Sequence, residues 1–478
     1  MTKPCENNKC QRRGVLLGDR QPAEVYVEKI KKEIVADNDM KAYVLTFGCQ
    51  QNEADSEKLS GMAQAMGYAL TDAPEEADLI VVNTCAIREH AEQKALSIVG
   101  QFKHLKEKKT SLVIAVCGCM VAQEHRQNDI KFKYPYVGFI FGTTALHRFP
   151  ELLYKHITAK KRLYYNEEAS PTVTEGMPIH RNNGYKAWVS VMYGCNNFCS
   201  YCIVPYVRGR ERSRRMEDVY EEFCDLVKRG YKEITLLGQN VNSYGKDGGF
   251  DYDFADLLEK LASVEGDYLI RFMTSHPKDA TKKLIDVMAE NDRIAKHFHL
   301  PMQSGSDKIL SAMNRKYDTE KYYGIVEYIR ERMPDCAITS DIIVGFPGET
   351  EEDFEGTLNM LSKVEFDMLY SFIYSPRKGT KAAEMEDQIP KAVQGERFNR
   401  LLALQNDIAL KKNEALVGKT LRVLCDGESK NNSDTYSGRT ESNKIVFFEG
   451  SDELRGRYVE VKIERAEAFA LYGTLIKK

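Results

Sequence analysis

The chain has 478 residues, of which 42% are hydrophobic, and its formal net charge is only −3. This length usually exceeds what one hydrophobic core serves, so we expect two or three domains. The small net charge excludes a protein that binds polyanions through its bulk electrostatics, so any nucleic-acid site must be a local patch. No apolar stretch approaches the roughly 18 residues of a membrane span, and the polar N-terminus lacks the apolar core of a signal peptide. We therefore expect a cytoplasmic protein with no membrane contact.

The N-terminal third shows a repeating pattern. Residues 1–40 are polar with one predicted helix at 25–35, and we interpret them as an N-terminal extension. From residue 41, short apolar runs alternate with amphipathic helices, which is typical of a parallel sheet covered on both faces. The pattern predicts a doubly wound α/β domain over 41–157. Its predicted strands are 42–47, 79–82, 112–116 and 137–141.

A turn-prone bridge at 167–184 leads to a second series of βα units. Six strands are too few for a closed eight-stranded barrel and predict an open, partial (β/α)6 barrel over 181–413, with its site at the C-terminal strand ends. After a predicted helix at 392–416, the tail, 414–478, has the short strands and turns of a small β-barrel, often used for oligonucleotides. The barrel strands are predicted at 187–193, 233–237, 268–273, 297–302, 337–344 and 368–374, and the tail strands at 421–424, 444–448, 457–466 and 469–477.

The chain has twelve cysteines, and in a reducing compartment such thiols are free to bind metal. The strongest motif, here named the loop triad, is Cys195, Cys199 and Cys202 in C-x3-C-x2-C spacing after the first barrel strand. Three thiolates can hold three irons of a cubane cluster and leave the fourth iron open. Zinc is the rival, but structural zinc sites are closed by four ligands, and no fourth Cys or His lies nearby in sequence. The motif therefore favours an iron-sulfur cluster.

More cysteines recur at equivalent positions of the N-terminal repeat. Cys49, Cys85 and the neighbours Cys117 and Cys119 follow three of its predicted strands. Ligands bind at that edge of a doubly wound sheet, so these thiols should converge. The alternative is that each is a small buried hydrophobe. Three equivalent positions favour a second 4Fe-4S cluster, with either Cys117 or Cys119 as third ligand by spacing alone.

From residue 41 to the C-terminus, the ordered motifs resemble the methylthiotransferases, a branch of the radical S-adenosylmethionine superfamily. Within this branch the MiaB-type family is most similar. Its members usually read Gly-Cys-Gln-Met-Asn after the first strand, where this chain has Gln51 in place of Met. Besides the loop triad, the motifs are Thr46-Phe47-Gly48-Cys49-Gln50-Gln51-Asn52, Asn83-Thr84-Cys85, Gly118-Cys119-Met120, Leu300-Pro301-Met302-Gln303-Ser304-Gly305-Ser306, Asp341-Ile342-Ile343-Val344-Gly345-Phe346-Pro347-Gly348-Glu349-Thr350 and Tyr374-Ser375-Pro376-Arg377-Lys378-Gly379-Thr380.

The resemblance implies a transferase with two 4Fe-4S clusters. The cluster at the loop triad would bind S-adenosylmethionine and yield a 5′-deoxyadenosyl radical. The second cluster would be held by Cys49, Cys85 and, rather than Cys117, Cys119; its attached sulfur would be methylated by another S-adenosylmethionine. The radical would remove hydrogen from C2 of N6-(dimethylallyl)adenosine next to the tRNA anticodon, and the methylthio group would be transferred there.

The resemblance also implies partners. The tail is identified as a TRAM domain, an RNA-binding β-barrel, and the expected partner is the anticodon stem-loop of tRNA. The reaction needs an electron donor and a sulfur or cluster supplier, which the sequence does not identify. We expect a monomer.

A basic run follows the loop triad and includes Arg208, Arg210 and Arg212. Guanidinium groups at the barrel rim would hold RNA phosphates, with the target base extruded toward the cluster. A solvated surface loop is the alternative, and adjacency to the cysteines favours RNA. Such binding should weaken steeply with added salt.

Other candidates are small or polar residues at predicted strand ends, suited to the polar groups of the cofactor. Ordinary loop capping is the alternative for each. Tyr201 is a candidate to pack on the adenine, and Arg377 with Thr380 to reach cofactor or RNA, although a structural turn explains the latter pair equally well. The strand-end candidates are Gly238, Gln239, Asn240, Ser275, Gln303 and Asp341.

Three alternatives remain. Two keep the chemistry and change the substrate, to threonylcarbamoyl-adenosine in tRNA or to an aspartate of a ribosomal protein. The third is a non-catalytic iron-sulfur protein that binds RNA or acts as a sensor, which would need neither an open iron nor a cofactor site. The remaining cysteines have no spacing partner and are interpreted as incidental: Cys5, Cys10, Cys224, Cys336 and Cys425.

Overall fold

The computed structural model describes residues 20–36, 38–86, 89–166, 173–429 and 432–476. Residues 1–19 of the predicted extension, with Cys5 and Cys10, lie outside the described residues. The predicted helix of the extension is present as α1 (Arg20–Ile30), which continues into a π-helical turn at Lys31–Val35. No helix in the described ranges is both long and apolar enough to cross a membrane.

The first domain is a six-stranded parallel sheet in the order β2-β1-β3-β4-β5-β6. Its central strands are buried on both faces because their side chains alternate between two apolar cores, with Leu79 and Val81 in one and Ile80 and Val82 in the other. The strands are β1 (Lys41–Thr46), β2 (Ala69–Leu70), β3 (Leu79–Thr84), β4 (Val113–Gly118), β5 (Phe139–Phe141) and β6 (Leu163–Tyr165), and the helices α2 (Gln50–Ala65), α3 (Glu89–Gln101), α4 (Lys103–Lys108), α5 (Glu124–Lys133) and α6 (Phe149–Ala159).

The doubly wound fold is as predicted, with two further strands. Sequence analysis missed β2 and β6, which have two and three residues and lie at the two edges of the sheet. Elements this short carry no readable periodicity. Because β6 pairs with β5, the sheet extends beyond residue 157, the predicted end of the domain.

The second domain is an open, partial barrel. Two parallel three-stranded sheets, β7-β10-β11 and β12-β13-β14, are joined by a bridge between Ile270 and Ile294. The six-stranded architecture is confirmed, although the first predicted strand is divided into β7 and a short β8 that pairs with β9. The strands are β7 (Lys186–Ser190), β8 (Met192–Tyr193), β9 (Arg212–Ser213), β10 (Glu233–Leu237), β11 (Leu269–Phe272), β12 (His297–His299), β13 (Ala337–Val344) and β14 (Met368–Ile373).

Helices cover the outer face of this barrel and share one large apolar core with its strands. They are α8 (Met216–Lys228), α9 (Phe254–Ala262), α10 (Lys282–Glu290), α11 (Asp307–Ala312), α12 (Thr319–Arg332), α13 (Glu351–Val364) and α14 (Lys391–Glu414), whereas the short α7 (Val204–Arg208) packs against the first domain. Short 3-10 helices lie at Pro74–Glu76, Met120–Ala122, Thr143–Arg148, Val241–Ser243, Pro277–Asp279, Lys381–Glu384 and Asp452–Leu454.

The tail is a closed five-stranded barrel in the order β15-β16-β17-β19-β18, which confirms the predicted small β-barrel. Sequence analysis missed β16, whose residues are mostly polar or turn-forming. That strand forms because it pairs on both sides, with β15 and β17. The strands are β15 (Thr420–Ser429), β16 (Asn432–Thr440), β17 (Ile445–Glu449), β18 (Tyr458–Ala466) and β19 (Leu471–Leu475).

The C-terminal barrel docks on the N-terminal end of the partial barrel. Lys186, the first residue of β7, pairs with Asp426 at 2.5 Å. Asp367, just before β14, pairs with Lys444 at 3.0 Å. The C-terminal strand ends, where the loop triad lies, therefore point away from this interface.

Candidate active site

The loop triad lies on a loop that neighbouring segments hold tightly. Gly194 begins it with φ +77°, and a Cβ there would lie 2.0 Å from the Arg210 carbonyl oxygen, so only glycine fits. Asn314 donates its Nδ2 to the carbonyls of Asn197 and Phe198 at 3.3 and 2.9 Å. The loop backbone is therefore fixed from both sides.

The thiols of Cys195 and Cys199 are buried and that of Cys202 is half-buried, and a cation lies beside them. Burial raises the pKa of Cys195 to about 11 and that of Cys202 to about 12. Arg315, itself buried, donates Nη1 to the Cys199 Sγ at 3.2 Å. A guanidinium beside three clustered thiols suits the negative charge of a thiolate-ligated cluster. Sequence analysis missed Arg315, because it lies 116 residues from Cys199 in the chain.

The sheet-edge triad, Cys49, Cys85 and Cys119, follows strands β1, β3 and β4. Cys119 donates its backbone N–H to the Thr84 carbonyl at 2.8 Å, next to Cys85. Burial raises the pKa of Cys119 to about 12, and the neighbouring thiols of Cys85 and Cys49 act in the same direction. The three thiols therefore lie together at one edge, as the topology predicted.

Cys117 lies elsewhere, and the reason is Gly118. Its φ of +99° turns the chain out of β4, and a Cβ there would lie 2.4 Å from the Thr84 carbonyl oxygen. Cys117 stays in an apolar core of the first domain, whereas Cys119 packs with Ile203 of the second domain. Of the two cysteines that spacing left open, Cys119 is the one at the edge.

The two triads lie at the same domain interface. Ala86 and Cys119 pack with Ile203 and Val207, which lie next to the loop triad and on α7. Within the described residues, no three His, Cys, Asp or Glu side chains could hold a single metal ion. The assignment of cluster ligands therefore depends on where the triads lie in the fold.

Arg208 is buried at this interface and does not point to solvent as an RNA-phosphate contact would. Its Nε donates to the Cys119 Sγ at 3.2 Å, and its Nη2 donates to Asn52 at 3.2 Å. It also forms an ion pair with buried Asp55 at 3.0 Å. The phosphate-binding role predicted for Arg208 is therefore wrong in this structure, because the guanidinium is enclosed by groups of the first domain. No sequence signal could show this, since the partners belong to another domain.

The rest of the basic run is divided between core and surface. The Arg210 guanidinium lies 4.4 Å from the centroid of the Phe198 ring. Arg212 is half-buried and donates Nη2 to the Arg208 carbonyl at 3.2 Å. Arg214 is buried in ion pairs with Glu175 and Glu222, and Arg215 is exposed.

Several strand-end candidates carry buried polar atoms with no hydrogen-bond partner among the described residues. They are Gln239 Oε1, Asn240 Oδ1 and Ser275 Oγ, together with both side-chain polar atoms of Asn242. An unsatisfied buried polar group is costly, so it indicates a polar ligand. The residues therefore fit the polar groups of S-adenosylmethionine. Asn242 was missed, although it follows Gly238 and Gln239 in the same loop.

The remaining strand-end candidates and Tyr201 differ in their surroundings. Gln303 is buried with φ +71° and donates its N–H to the Asp341 carbonyl at 2.8 Å. Asp341 lies 3.6 Å from the His299 imidazole. A Cβ at Gly238 would lie 2.5 Å from Met192 Cγ, so the strand end is tightly packed there. Burial raises the pKa of Tyr201 well above its usual value.

Thr380 and Arg377 form a turn. Thr380 is buried, and both its N–H and its hydroxyl donate to the Arg377 carbonyl, at 3.0 and 2.8 Å. The following segment packs on the cysteine loop, which is the loop that carries Cys195, Cys199 and Cys202, where Ala382 donates its N–H to the Ser200 carbonyl at 2.8 Å. These contacts support the structural-turn interpretation of Thr380.

The three domains match three known families. Residues 189–361 match the radical SAM superfamily, 41–142 the uncharacterized protein family UPF0004, and 414–476 the TRAM domain. Among solved structures, the radical S-adenosylmethionine methyltransferase TsrM from Kitasatospora setae, which was solved with cobalamin and a [4Fe-4S] cluster, has a similar fold. Its TM-score is 0.54 at 14% identity, over 72% of this chain and 77% of that chain.

Curated relatives match nearly the whole chain. A tRNA-2-methylthio-N(6)-dimethylallyladenosine synthase from Caldicellulosiruptor saccharolyticus is 53% identical over 452 residues, which is 94% of this chain and 96% of the relative. A protein of the same name from Thermoanaerobacter sp. is 49% identical over 467 residues, with 95% and 99% covered. The chain therefore belongs to the tRNA-2-methylthio-N(6)-dimethylallyladenosine synthase family.

Proposed function

We propose that this chain is a transferase that adds a methylthio group to C2 of N6-(dimethylallyl)adenosine next to the anticodon of tRNA. The observation that carries the proposal is the meeting of two cysteine triads at one domain interface, in a chain of this family. A radical SAM domain implies S-adenosylmethionine and a 4Fe-4S cluster. The sheet-edge triad would hold a second cluster, since its thiols lie together at a ligand-binding edge.

Each group has residues that fit it. Cys195, Cys199 and Cys202 would hold the first cluster, and Gln239, Asn240, Asn242 and Ser275 would hold polar groups of S-adenosylmethionine. When bound, the first cluster and S-adenosylmethionine supply a radical that can abstract a hydrogen atom, and the second cluster supplies sulfur. The chain itself keeps four of the six thiols buried and holds both triads at one domain interface.

The substrate would be held by basic side chains and by the C-terminal barrel. Arg210, Arg212 and Arg215 would bind phosphates of the anticodon loop beside the cysteine loop. The TRAM domain would bind RNA at the other end of the partial barrel. An electron donor and a source of sulfur must also reach the protein.

The experiment combines anaerobic, reduced, cluster-loaded protein with S-adenosylmethionine and an isopentenylated anticodon stem-loop. We expect a methylthio product by mass spectrometry of the nucleosides, and 5′-deoxyadenosine. Stem-loops with unmodified adenosine or threonylcarbamoyl-adenosine, and a ribosomal protein with its aspartate, are the controls. A methylthio product found only with the threonylcarbamoyl-adenosine stem-loop, or only with the ribosomal protein, would show that this molecule is the substrate instead. No 5′-deoxyadenosine with any substrate would favour a non-catalytic iron-sulfur protein.

The second cluster is tested by a matched pair of variants. Cys119→Ala should lower the iron content by about four atoms per chain, the content of one cubane, and abolish the methylthio product. Cys117→Ala, two residues away but in the apolar core, should keep its iron. Equal iron contents in the two variants would contradict the second cluster at this edge. Iron and acid-labile sulfide assays, with Mössbauer spectra, provide the measurement.

A further inference from the structure

An exposed aromatic ring lies beside the cysteine loop. Tyr206 on α7 is 54% exposed, and its ring contacts Phe198 of the cysteine loop at 5.8 Å between centroids and 88° between planes. Within the described ranges, the other large aromatic side chains this exposed are Phe132 and Phe469, which lie in the first domain and in the C-terminal barrel. An exposed ring has apolar surface to offer a partner.

The position of Phe198 is held against its backbone preference. Its φ is +47°, in the left-handed region that is unfavourable for a residue with a Cβ. Asn314 is also left-handed, at φ +60°. Its side-chain Nδ2 donates to the Phe198 carbonyl at 2.9 Å and so helps to hold Phe198 in this conformation. Backbone strain that the surroundings enforce is typical of functional sites.

A guanidinium completes the surface. Arg210 lies 4.4 Å from the Phe198 ring centroid, within the range of a cation–π contact. Tyr206, Phe198 and Arg210 together are named the aromatic platform. Single-stranded RNA is bound by this combination, in which bases stack on aromatic rings and guanidinium groups while positive charges hold phosphates.

We propose that the aromatic platform binds an unpaired base of the anticodon loop, which stacks on the open face of Tyr206 beside the nucleotide under modification. This deepens the proposed function and rests on it. Arg210 brings a positive charge to the platform, and Arg212 and Arg215 follow in the same run, which favours a nucleic acid over an apolar protein partner. Stacking there would fix the loop so that its neighbouring adenine points to the loop triad.

The test measures RNA binding by the cluster-loaded protein. The probes are isopentenylated anticodon stem-loops with 2-aminopurine at each position next to the modified adenosine. Tyr206→Ala should raise the Kd by about 5- to 150-fold, the range for the loss of one stacked base. It should also abolish the quenching of 2-aminopurine at one position. Tyr206→Trp and Tyr206→Phe should keep both.

Phe132→Ala is the matched control, since it removes another exposed ring, 75% exposed, from the first domain. It should bind RNA like the unchanged protein. Iron and sulfide contents establish that each variant retains its clusters. If Tyr206→Ala loses its clusters, Tyr206→Ser is measured in its place. An unchanged Kd with unchanged quenching in the alanine or serine variant would overturn the proposal. If the unchanged protein itself fails to bind isopentenylated RNA, the proposed function is wrong. That outcome differs from one in which only the role of the aromatic platform is wrong.

Discussion

Arg208 and Ser275 show how single side chains prepare the two halves of the site. Arg208 brings a positive charge to Cys119, and its Nη2 also contacts Asn52 and Asp55, so the buried charge has a carboxylate partner. Ser275 does the opposite and keeps a buried hydroxyl without a partner among the described residues. The first arrangement stabilises the interface of the two triads, and the second leaves a place for a ligand.

Arg208→Gln should destabilise the protein strongly. Removal of one partner leaves the Asp55 carboxylate buried and unpaired, which costs about 3–5 kcal/mol. Urea denaturation followed by circular dichroism measures the loss. Arg215→Gln, which removes an exposed guanidinium with contacts of 3.7 Å, should change stability little. The double variant Asp55→Asn/Arg208→Gln should recover part of the stability, and no recovery would show that Asp55 is not the main partner.

Ser275→Ala should weaken S-adenosylmethionine binding without lowering the stability of the ligand-free protein. The hydroxyl has no partner in the protein, so its removal relieves an unsatisfied group, while the ligand loses one hydrogen bond. We expect a rise in Kd of about tenfold, which corresponds to roughly 1.4 kcal/mol, by equilibrium dialysis. Ser362→Ala on the exposed face of α13 is the control. A destabilised Ser275→Ala protein with unchanged affinity would indicate a purely structural hydroxyl.

At the scale of elements, ion pairs that differ in burial hold the C-terminal barrel to the partial barrel, and Asp367 lies at the centre of the most buried group. Asp367 accepts from Lys444 at 3.0 Å and from Lys412 at 2.8 Å, and it also accepts the Ile338 N–H at 3.0 Å. Burial alone would raise the pKa of Asp367, but the two ammonium groups outweigh it and hold that pKa below its usual value. Asp267, which pairs with Arg422 and Lys232, is exposed by contrast.

Asp367→Asn should lower the stability of the interface by about 1.5–3 kcal/mol, the value of a hydrogen bond to a charged group. Asp267→Asn should cost less than about 1 kcal/mol because water screens the exposed pair. Differential scanning calorimetry and limited proteolysis between the two barrels compare the variants.

The ion pairs of Asp367 with Lys444 and Lys412 predict how stability depends on pH. A carboxylate with a depressed pKa stabilises the fold fully above its unfolded pKa of about 3.9, and this stabilisation is lost only as the pH falls through the lower folded value. The unchanged protein and Asp367→Asn should therefore differ in free energy of unfolding by the same amount at pH 5.5 and at pH 7.5. A difference that fades between those values would contradict the lowered pKa.

At the scale of the whole molecule, the two places proposed for RNA lie at opposite ends of the partial barrel. The basic run and the cysteine loop are at the C-terminal strand ends, and the TRAM domain covers the N-terminal end. The longest strand of the partial barrel, β13, has eight residues, so the RNA must extend across about 26 Å. The net charge of −3 offers no general attraction, so local charges must hold it.

RNA affinity should therefore depend on salt through a few contacts. If Arg210, Arg212 and Arg215 neutralise three phosphates of a single-stranded loop, the slope of log K against log salt is about −2, and the Kd rises about 20-fold between 50 and 200 mM salt. Arg210→Gln/Arg212→Gln should reduce the slope by about 1.4. Lys133→Gln, which removes an exposed charge on α5, should not change it. Equal slopes in all three proteins would exclude the run from the RNA interface.

Features that depend on neighbours in sequence were predicted well. The strands Glu233–Leu237 and Ala337–Val344 have the bounds expected from their apolar runs. The spacing of the loop triad and the recurrence of cysteines after parallel strands are equally local. Together with the family motifs, they predicted the fold and a radical SAM domain, which the match to that superfamily confirms.

The tertiary structure decided what depends on partners far apart in the chain. A mostly polar segment became β16 because two strands pair with it, and Cys119 rather than Cys117 reached the edge because Gly118 turns the chain beside Thr84. Arg208 looked like a surface charge because its partners, Asn52 and Cys119, are 156 and 89 residues away. Periodicity and spacing describe a residue's own segment, whereas burial and pairing depend on which segments meet.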